Sequence, residues 1–428
     1  MLQTLVNALK TPELRKKILY TAFIILIFRI GAAISVPFTN AAQGIIDDTT
    51  SAGNFMNYLN MMTGDAFNYS TLFAMSITPY INASIIMQLL TIAIPALERM
   101  SKEEGEEGKK KIAAITRYAT VGIGLIQGFA YYMLMKNNGI LAPEAVGNTW
   151  AAIVIVLTFT SGSALIMWLG EQITEHGIGN GISMILFASI VSRFPTSLLT
   201  SIRNCMAGAL QWWVVVLMYL GALAIIVLIV FVNDAERRIP VQYAKRVVGR
   251  KMYGGQSTHL PMKVNMSGVM PIIFAQSIAS LPATVAAFTG KTDGWFMRNF
   301  DTNSIPYAIA FFLLIIFFAY FYSTIQFNPI EVANNLKKNG GYIPGFRPGK
   351  PTSEFIQRVL NKITLFGAVY LGIIAVVPIL ISHFSESAAL TGLSLGGTSI
   401  IIVVGVAVET IRTLEGELMM RNYKGFLS

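Results

Sequence analysis

Charged residues are scarce in this chain of 428 residues, and cysteine and histidine are scarcer still. Only 13% of the residues are charged, about half of the roughly 25% that is usual in soluble globular proteins. Hydrophobic residues make up 54%, and the mean hydropathy is +0.58. These values exclude a disordered chain, a coiled coil and an ordinary soluble enzyme. They indicate that a lipid bilayer is the solvent for much of the chain.

The rare residue types exclude several kinds of site. Cys205 is the single cysteine, which excludes a disulfide framework, an iron–sulfur cluster and a zinc–thiolate site. His176, His259 and His383 have none of the spacings of a metal motif. The chain has no phosphate-binding loop of P-loop spacing and no signal-peptide pattern in its first 17 residues. We therefore expect no cofactor, no enzyme activity and a first apolar segment that is retained as a membrane anchor.

Ten apolar segments are long enough to cross a hydrocarbon core of about 30 Å, which takes roughly 20 helical residues. They are 18–36, 72–94, 112–135, 150–170, 182–198, 210–232, 266–288, 305–327, 363–383 and 398–412. If residues 1–17 are cytoplasmic and the sides alternate, the cytoplasmic pieces carry 23 Lys and Arg and the opposite pieces carry 5. This asymmetry predicts that both termini are cytoplasmic.

The predicted fold class is an all-α polytopic membrane protein with ten transmembrane helices. Because five is odd, the second set of five spans starts on the opposite side of the membrane from the first. We therefore predict two inverted, pseudo-symmetric five-helix halves, 1–198 and 199–428. An inverted-repeat secondary transporter for a small solute is one function of such a fold. The absence of Asp and Glu from the interiors of spans two to nine disfavours it.

Span two has a distinct face. Pro79 predicts that its helix starts or kinks there, and Ile77, Ile81, Ser84 and Gln88 follow at roughly helical spacing. The i, i+4 pattern recurs in spans seven and ten as Ile273 with Ser277 and Ile402 with Val406. This pattern has two interpretations, ordinary bundle packing or a ring of aliphatic residues that closes an aqueous path by dewetting.

The few charges in the spans are predicted to be snorkelling side chains or structural ion pairs. They are Arg29, Arg117 and Arg193, together with Glu409 and Arg412 at helical spacing. Between spans one and two, an amphipathic stripe predicts an interfacial helix, or alternatively a movable element that folds back into the molecule. The stripe consists of Phe55, Tyr58, Leu59 and Met62.

The cytoplasmic loops differ in pattern. Loop 95–111 carries mixed charges and is predicted to be solvated. Loop 233–264 contains two alternating stretches, which predict two strands of a β-ribbon. The alternating residues are Ile239, Val241 and Tyr243 in the first strand and Leu260, Met262 and Val264 in the second. The tip between them carries Lys245, Arg246, Arg250 and Lys251.

Loop 328–361 opens with Asn328-Pro-Ile-Glu331, which resembles a helix start with a capping-box variant, and Gly340-Gly341 should end that helix. A turn at 345–349 then presents Arg347. The basic loops have alternative explanations. They could bind lipid phosphates, or they could bind a large anionic partner such as ribosomal RNA or an acidic protein surface.

Four strings closely resemble signatures of the SecY family, and they occur in the expected order. They are Trp168-Leu-Gly-Glu-Gln-Ile-Thr-Glu-His-Gly-Ile-Gly-Asn-Gly-Ile-Ser183, Gln256-Ser-Thr-His-Leu-Pro-Met-Lys-Val-Asn265, Asn334-Asn-Leu-Lys-Lys-Asn-Gly340 and Gly396-Gly-Thr-Ser399. The resemblance extends over essentially the whole chain. It implies a protein-conducting channel that passes unfolded secretory polypeptides across the membrane and releases hydrophobic segments laterally into lipid.

The resemblance also implies roles for individual residues. A ring of aliphatic side chains should seal the waist of the channel at Ile77, Ile81, Leu186, Ile273 and Ile402. A plug at about 61–70 should contain Met61, Met62, Gly64, Asp65, Phe67 and Ser70. A lateral gate should carry the polar residues Gln88, Thr91, Gln127 and Ser277. Loop residues that bind partners should be Arg246, Arg250 and Arg347.

The partners that the resemblance implies are the small membrane subunits SecE and SecG, the SecA ATPase motor, the ribosome, a secretory precursor polypeptide and the lipid bilayer. The implied location is the bacterial cytoplasmic (inner) membrane. Energy for transport should come from the motor or from translation, because the channel subunit has no nucleotide-binding loop.

Overall fold

The computed structural model describes residues 8–40, 60, 63–102, 104–137, 139–208, 211–243, 246–248, 251–253, 257–266, 268–289, 304–384 and 397–424. The chain is predominantly helical. Its helices are α1 (Pro12–Gly31), α2 (Thr78–Ala93), α3 (Pro95–Lys102), α4 (Gly105–Asn137), α5 (Thr149–His176), α6 (Gly181–Met206), α7 (Trp212–Asp234), α8 (Met270–Thr289), α9 (Ile305–Gln326), α10 (Pro329–Lys338), α11 (Lys350–Phe384) and α12 (Gly397–Lys424). Each of the ten predicted spans overlaps one of these helices. The all-α polytopic fold class is therefore confirmed.

Six helices among the described residues are long and apolar enough to cross a membrane, namely α4, α5, α6, α7, α9 and α11. The pair α2 and α3 would make a seventh, but it is bent by 103° at its break. The bend has a local cause. Ile94 precedes Pro95 and has an extended backbone, with φ −107° and ψ 112°, because the proline ring disfavours a helical residue before it.

The first predicted span is shifted toward the N-terminus in the structure, and the second is shorter than predicted. Helix α1 ends at Gly31, and Ser35 instead forms an antiparallel bridge with Thr71. Helix α2 begins at Thr78 rather than at residue 72, with Pro79 in its first turn, as the proline predicted. The residues before it form a series of turns. We call Asn60 and residues 63–77 the turn segment.

The prediction of a solvated loop at 95–111 is wrong. This stretch forms α3 and the first turns of α4, and α3 packs against α4. Mixed charges favour an exposed helix as readily as a loop when an acidic and a basic residue are three or four positions apart. The Lys109–Glu106 pair is one example.

The predicted β-ribbon is confirmed. Strands β1 (Glu236–Tyr243) and β4 (Ser257–Lys263) pair antiparallel, with Ile239 opposite Leu260. The hairpin of β2 (Arg246–Val248) and β3 (Lys251–Tyr253) lies between them, and β5 (Gly341–Tyr342) pairs with the other edge of β1. The buried face of β1 and β4 packs against the loop after β5 and against α11. The buried residues of this cluster are Ile239, Val241, Met262, Ile343, Ile356 and Leu360. We call β1 to β4 the ribbon.

The predicted start of α10 is also confirmed. The side chain of Asn328 accepts hydrogen bonds from the backbone N–H groups of Ile330 and Glu331, and Pro329 occupies the first helical position. These bonds satisfy N–H groups that have no partner within the helix. The helix ends before Gly340, which has φ +69°.

Helix packing follows the same order in both parts of the chain. In the first, α2 packs on α4, α4 on α5, and α5 on α6. In the second, α8 packs on α9, α9 on α11, and α11 on α12. The two parts meet where α12 packs against α6 and where α8 packs against α4.

Candidate functional site

The five residues predicted to form the ring all lie in one cluster of buried apolar side chains. Their exposed fractions are 0% for Ile77, 7% for Ile81, 1% for Leu186, 7% for Ile273 and 3% for Ile402. Ile77 lies directly before α2, and the other four lie on α2, α6, α8 and α12, which occur far apart in the chain. Burial among apolar side chains is also what bundle packing produces, so the role of these residues as a seal stays a prediction.

Local sequence determines where the ring residues of α2 and α6 lie. Ile77 is the residue before the first turn of α2, and its carbonyl accepts a hydrogen bond from the Ile81 N–H at 3.0 Å. At the start of α6, the Asn180 side chain accepts hydrogen bonds from the N–H groups of Ile182 and Ser183. Because caps fix where a helix begins, they also fix the depth of the residues one or two turns later.

A close approach of two backbones holds the start of α6 against α5. A Cβ at Gly181 would overlap the carbonyl oxygen of Gly170. Only glycine permits this approach, and the same glycine-rich turn is part of the longest string shared with the SecY family. Pro271 is the second residue of α8, and the Ile273 N–H donates to the Val269 carbonyl at 3.3 Å.

The turn segment is held together by short polar side chains. The Asn60 Nδ2 donates to Asp65 Oδ1 at 2.8 Å, and Asn60 Oδ1 accepts from the Asn68 backbone N–H at 3.0 Å. The Thr63 hydroxyl accepts from the Phe67 N–H at 3.1 Å. Ser70 is fully buried, and its carbonyl accepts from the Val36 N–H.

The turn segment docks on α6 and α4. Asp65 Oδ1 lies 3.4 Å from Arg193 Nε of α6, and a Cβ at Gly64 would lie 2.8 Å from the Ser189 carbonyl oxygen. On the other side, the Tyr131 hydroxyl of α4 donates to the Phe67 carbonyl, and the two rings are 4.8 Å apart. The structure thus places four residues of the predicted plug, Gly64, Asp65, Phe67 and Ser70, in one docked segment.

Two residues of the predicted plug and the amphipathic stripe lie outside the described residues. These are Met61, Met62 and the positions Phe55, Tyr58 and Leu59.

The polar residues predicted for the lateral gate are half-buried on three helices. Gln88 and Thr91 lie on α2, where the Gln88 Nε2 is 3.4 Å from Ser84 Oγ and the Thr91 hydroxyl donates to the Met87 carbonyl at 2.7 Å. Gln127 lies on α4 and Ser277 on α8, and these two helices pack against each other. The structure therefore brings together the helices that carry Gln127 and Ser277.

Two of the three loop cations predicted to bind partners lie within the described residues. Arg246 begins β2, and Arg347 is exposed in the turn before α11, where its carbonyl accepts from the Thr352 hydroxyl at 2.8 Å. Arg250 lies outside the described residues.

Of the two predicted explanations for the charges in the spans, a structural ion pair between helices applies to Arg117 and Arg412. Arg117 Nε lies 2.8 Å from Glu171 Oε1, and Arg29 Nη1 lies 2.9 Å from Ser192 Oγ. Arg412, which stands at helical spacing from Glu409, forms an ion pair with Asp234 of α7, with Nη2 lying 2.6 Å from Asp234 Oδ1. Spacing along one helix missed this contact, which joins α12 to the end of α7.

Comparisons with known proteins agree with these features. The family model described as SecY matches residues 71–411. A "Protein translocase subunit SecY" from Streptomyces scabiei is 45% identical to this chain, over 100% of both chains. A solved structure described as "The structure of a protein conducting channel" matches with a TM-score of 0.68 and 18% identity, over 94% of this chain and 92% of the other.

A second solved structure, "Sec61 in the Canine ribosome-channel complex from the endoplasmic reticulum", matches with a TM-score of 0.64 and 16% identity. It too covers 94% of this chain and 92% of the other. At these identities the two structures show a shared fold, whereas the match to the family model and the full-length relative at 45% identity establish the family. The chain belongs to the SecY family.

Proposed function

We propose that this protein is the channel through which unfolded secretory polypeptides cross a membrane, and that Ile77, Ile81, Leu186, Ile273 and Ile402 form its seal. The observation that carries the proposal is that these five residues, from distant parts of the chain, all belong to one large cluster of buried hydrophobic side chains. The family relatives, which are translocase subunits, support the same function. They give no support to the alternative of a small-solute transporter.

An aliphatic ring solves the physical problem of such a channel. When it is empty, a narrow apolar constriction holds no stable column of water and therefore blocks ions. When a chain passes, aliphatic side chains form no lasting hydrogen bonds with it. The predicted plug, residues 61–70, would add a second seal that is displaced when the ring opens.

Lateral release would occur between α2 and α4 on one side and α8 and α9 on the other. An apolar segment gains about 0.8 kcal/mol for each methylene group that moves into lipid, so partitioning can drive the opening of the gate. Gln88, Thr91, Gln127 and Ser277 are polar residues on these helices. Their half-burial is compatible with a surface that separates from its neighbour.

The similar packing order in the two parts of the chain supports two inverted halves, 1–198 and 199–428. The asymmetry of Lys and Arg supports cytoplasmic termini in a bacterial inner membrane. The proposed partners are SecE and SecG in the membrane, and SecA or the ribosome at Arg246, Arg250 and Arg347. The similarity of the fold to a channel that was solved in a ribosome–channel complex supports the ribosome. The partner would supply the energy for transport.

Crosslinking to a stalled secretory precursor tests the seal. A photoreactive residue at position 81 or 273 should crosslink to the precursor, because these residues would line its path. The same probe at position 220 should not, since Leu220 on α7 is 61% exposed on the outside of the bundle. Equal crosslinking at all three positions would overturn the proposal.

The Ile402→Asn variant tests the same seal by a different measurement. A polar side chain should stabilise water in the ring and raise ion leak through channels in vesicles without a precursor. It should also admit precursors with weak signal sequences. An unchanged leak together with unchanged signal selectivity would argue against the ring.

Charge reversal at Arg347 tests the loop that binds partners. Arg347→Glu should weaken ribosome or SecA binding and leave ion leak unchanged, because Arg347 is exposed in a loop and does not lie on a helix that carries a ring residue. Lys362→Glu, on the exposed surface of α11, is the matched control. Equal binding of both partners by wild type and Arg347→Glu would show that the loop has another role.

A further inference from the structure

Arg412 of α12 contacts the base of the ribbon. Its Nη2 donates to the Asn233 carbonyl at 2.8 Å and to Asp234 Oδ1 at 2.6 Å. Asn233 and Asp234 are the last residues of α7, and β1 starts at Glu236. Carbonyl groups in the last turn of a helix have no partner within it, so a cation from another helix stabilises this end. Arg412 therefore attaches α12 to the point where the ribbon begins.

The other strand of the ribbon returns to the same place. Lys263 is the last residue of β4, and burial lowers the pKa of its ammonium group, as does the neighbouring positive charge of Arg412. Two residues later, the Asn265 Nδ2 donates to Asn233 Oδ1 at 3.0 Å. Both strands of the ribbon thus end beside Arg412. We call Asn233, Asp234, Lys263, Asn265 and Arg412 the polar junction.

The polar junction is connected to two helices that carry ring residues. On α12, Ile402 lies ten residues before Arg412, which is about 15 Å along a helix. On the other side, residues 264–269 lead from β4 into α8, where the Ile273 N–H bonds to the Val269 carbonyl. A movement of the junction would reach Ile402 through one rigid helix and Ile273 through a short connection.

Two glycines leave that connection little space. A Cβ at Gly367 of α11 would lie 2.7 Å from the Val264 carbonyl oxygen, and a Cβ at Gly405 of α12 would overlap the Val269 side chain. Interiors packed this closely transmit displacement rather than absorb it. The residues between the ribbon and the ring are therefore packed tightly enough to move together.

We propose that Arg412 is a positioning residue that couples partner docking on the ribbon to the opening of the ring. The inference rests on the proposed function, in which a partner binds the ribbon and the ring is the seal. Docking would shift the base of the ribbon, and the contacts of Arg412 with Asn233 and Asp234 would carry that shift to α12 and so to Ile402. Coupling between the ribbon and the ring requires a structural element that is connected to both. The polar junction is such an element.

The Arg412→Gln variant tests the coupling in the full-length channel, reconstituted in vesicles of phosphatidylethanolamine and phosphatidylglycerol. The probe is a translating ribosome that carries a secretory precursor. Ribosome binding should equal that of wild type, because the ribbon tip is unchanged, whereas precursor import should fall about fivefold. Arg412→Lys should import normally, since both contacts come from one nitrogen, which an ammonium group can replace.

Two control variants separate this contact from ion pairs in general. Arg238→Gln removes a 2.7 Å ion pair with Glu236 that lies within β1 and joins no other element. Lys17→Gln removes a 2.9 Å ion pair with Glu417 that holds α12 to α1 rather than to the ribbon. We expect both control variants to lose much less precursor import than Arg412→Gln does.

The double variant Arg412→Gln/Ile402→Asn provides the decisive comparison. If Arg412 acts through the ring, a ring that is already loosened should restore import to the level of Ile402→Asn alone. Import by Arg412→Gln equal to wild type, an equal loss in Lys17→Gln, or failure of Ile402→Asn to restore import would each overturn the coupling. Failure of the wild-type vesicles to import the precursor would instead overturn the proposed function, and the coupling with it.

Discussion

The turn segment and the ribbon are the two main non-helical parts of the described structure, and they satisfy their backbone groups in different ways. In the ribbon, the backbones of β1 and β4 pair with each other from Glu236 with Lys263 to Gln242 with Ser257. In the turn segment, backbone bonds close short turns instead of forming a ladder, and the side chains of Asn60 and Thr63 bond to further backbone groups. The comparison teaches that the surroundings, and not the lack of helix, determine how such segments are stabilised.

The physical reason is access to water. The outer face of the ribbon is exposed, so water can satisfy whatever the sheet leaves unpaired. The turn segment is enclosed by α4, α5 and α6, and Ser70, Thr71 and Ser76 are almost completely buried. Within a membrane protein, an unsatisfied backbone group costs several kcal/mol, so each one needs a partner inside the protein. We therefore expect mutations in the turn segment to cost more than mutations beside the ribbon.

The largest effect should come from Gly162→Ala. A Cβ at this position in α5 would overlap the carbonyl oxygen of Leu72, which lies in the turn segment and cannot move without breaking its backbone bond to Ile34. Overpacking of this kind should lower the free energy of unfolding by about 3 kcal/mol. Thermal inactivation in detergent would measure it. Gly122→Ala, with no atom near its added methyl group, is the control and should not change the midpoint.

A smaller loss is expected for Asn60→Ala. This change removes the acceptor of the Asn68 N–H and the donor to Asp65, and Asn60 itself is only 1% exposed. We expect a loss of about 2 kcal/mol and faster hydrogen exchange of amides in the turn segment, with exchange in the ribbon unchanged. Equal acceleration in both regions would remove the distinction drawn between them.

A still smaller effect should follow from Asp65→Asn. The substitution keeps an oxygen that can accept from Asn60 but removes the negative charge opposite Arg193. Because both side chains are partly exposed, we expect the docked turn segment to lose only about 1 kcal/mol. Ion leak through vesicles without a precursor should rise about fivefold. Asp65→Glu, which keeps the charge, should leak less than Asp65→Asn; the reverse order would mean that the charge does not hold the segment.

The smallest effect is expected beside the ribbon, for Asn328→Ala. The Asn328 side chain caps α10, which lies on the surface next to β5, so its loss should destabilise the protein by about 0.5 kcal/mol. Ion leak should equal that of wild type. Asn328→Asp keeps the acceptor and should match wild type in both measurements. A leak as large as that of Asp65→Asn would show that the cytoplasmic loops influence the seal directly.

Several elements could be predicted from sequence because local rules determine them. Pro79 located the start of α2, Asn328 located the start of α10, and alternation over 239–243 and 260–264 identified the ribbon. The four family strings extended these local predictions to a fold and a function. The failures also have local causes. Charges in 95–111 suggested a loop where a helix forms, and hydropathy alone extended α1 and α2 into turns.

The contacts of Arg193 with Asp65 and of Arg412 with Asp234 could not have been read from spacing. Each joins residues that are more than a hundred positions apart. No rule of helical periodicity relates such positions, because the relative placement of helices depends on packing. The sequence does show that Asp234 follows the apolar span 210–232. That position predicts where the helix ends, but it does not predict which cation binds there.

The sequence by itself determined that the chain spans a membrane, where most of its helices lie and to which family it belongs, because apolar length and local caps act over a few residues. Only the tertiary structure decided which distant helices meet: those that place the five ring residues in one large buried cluster, and those that bring Arg412 beside both ends of the ribbon. That meeting depends on how helix surfaces fit together, and the fit is a property of the whole bundle rather than of any one segment.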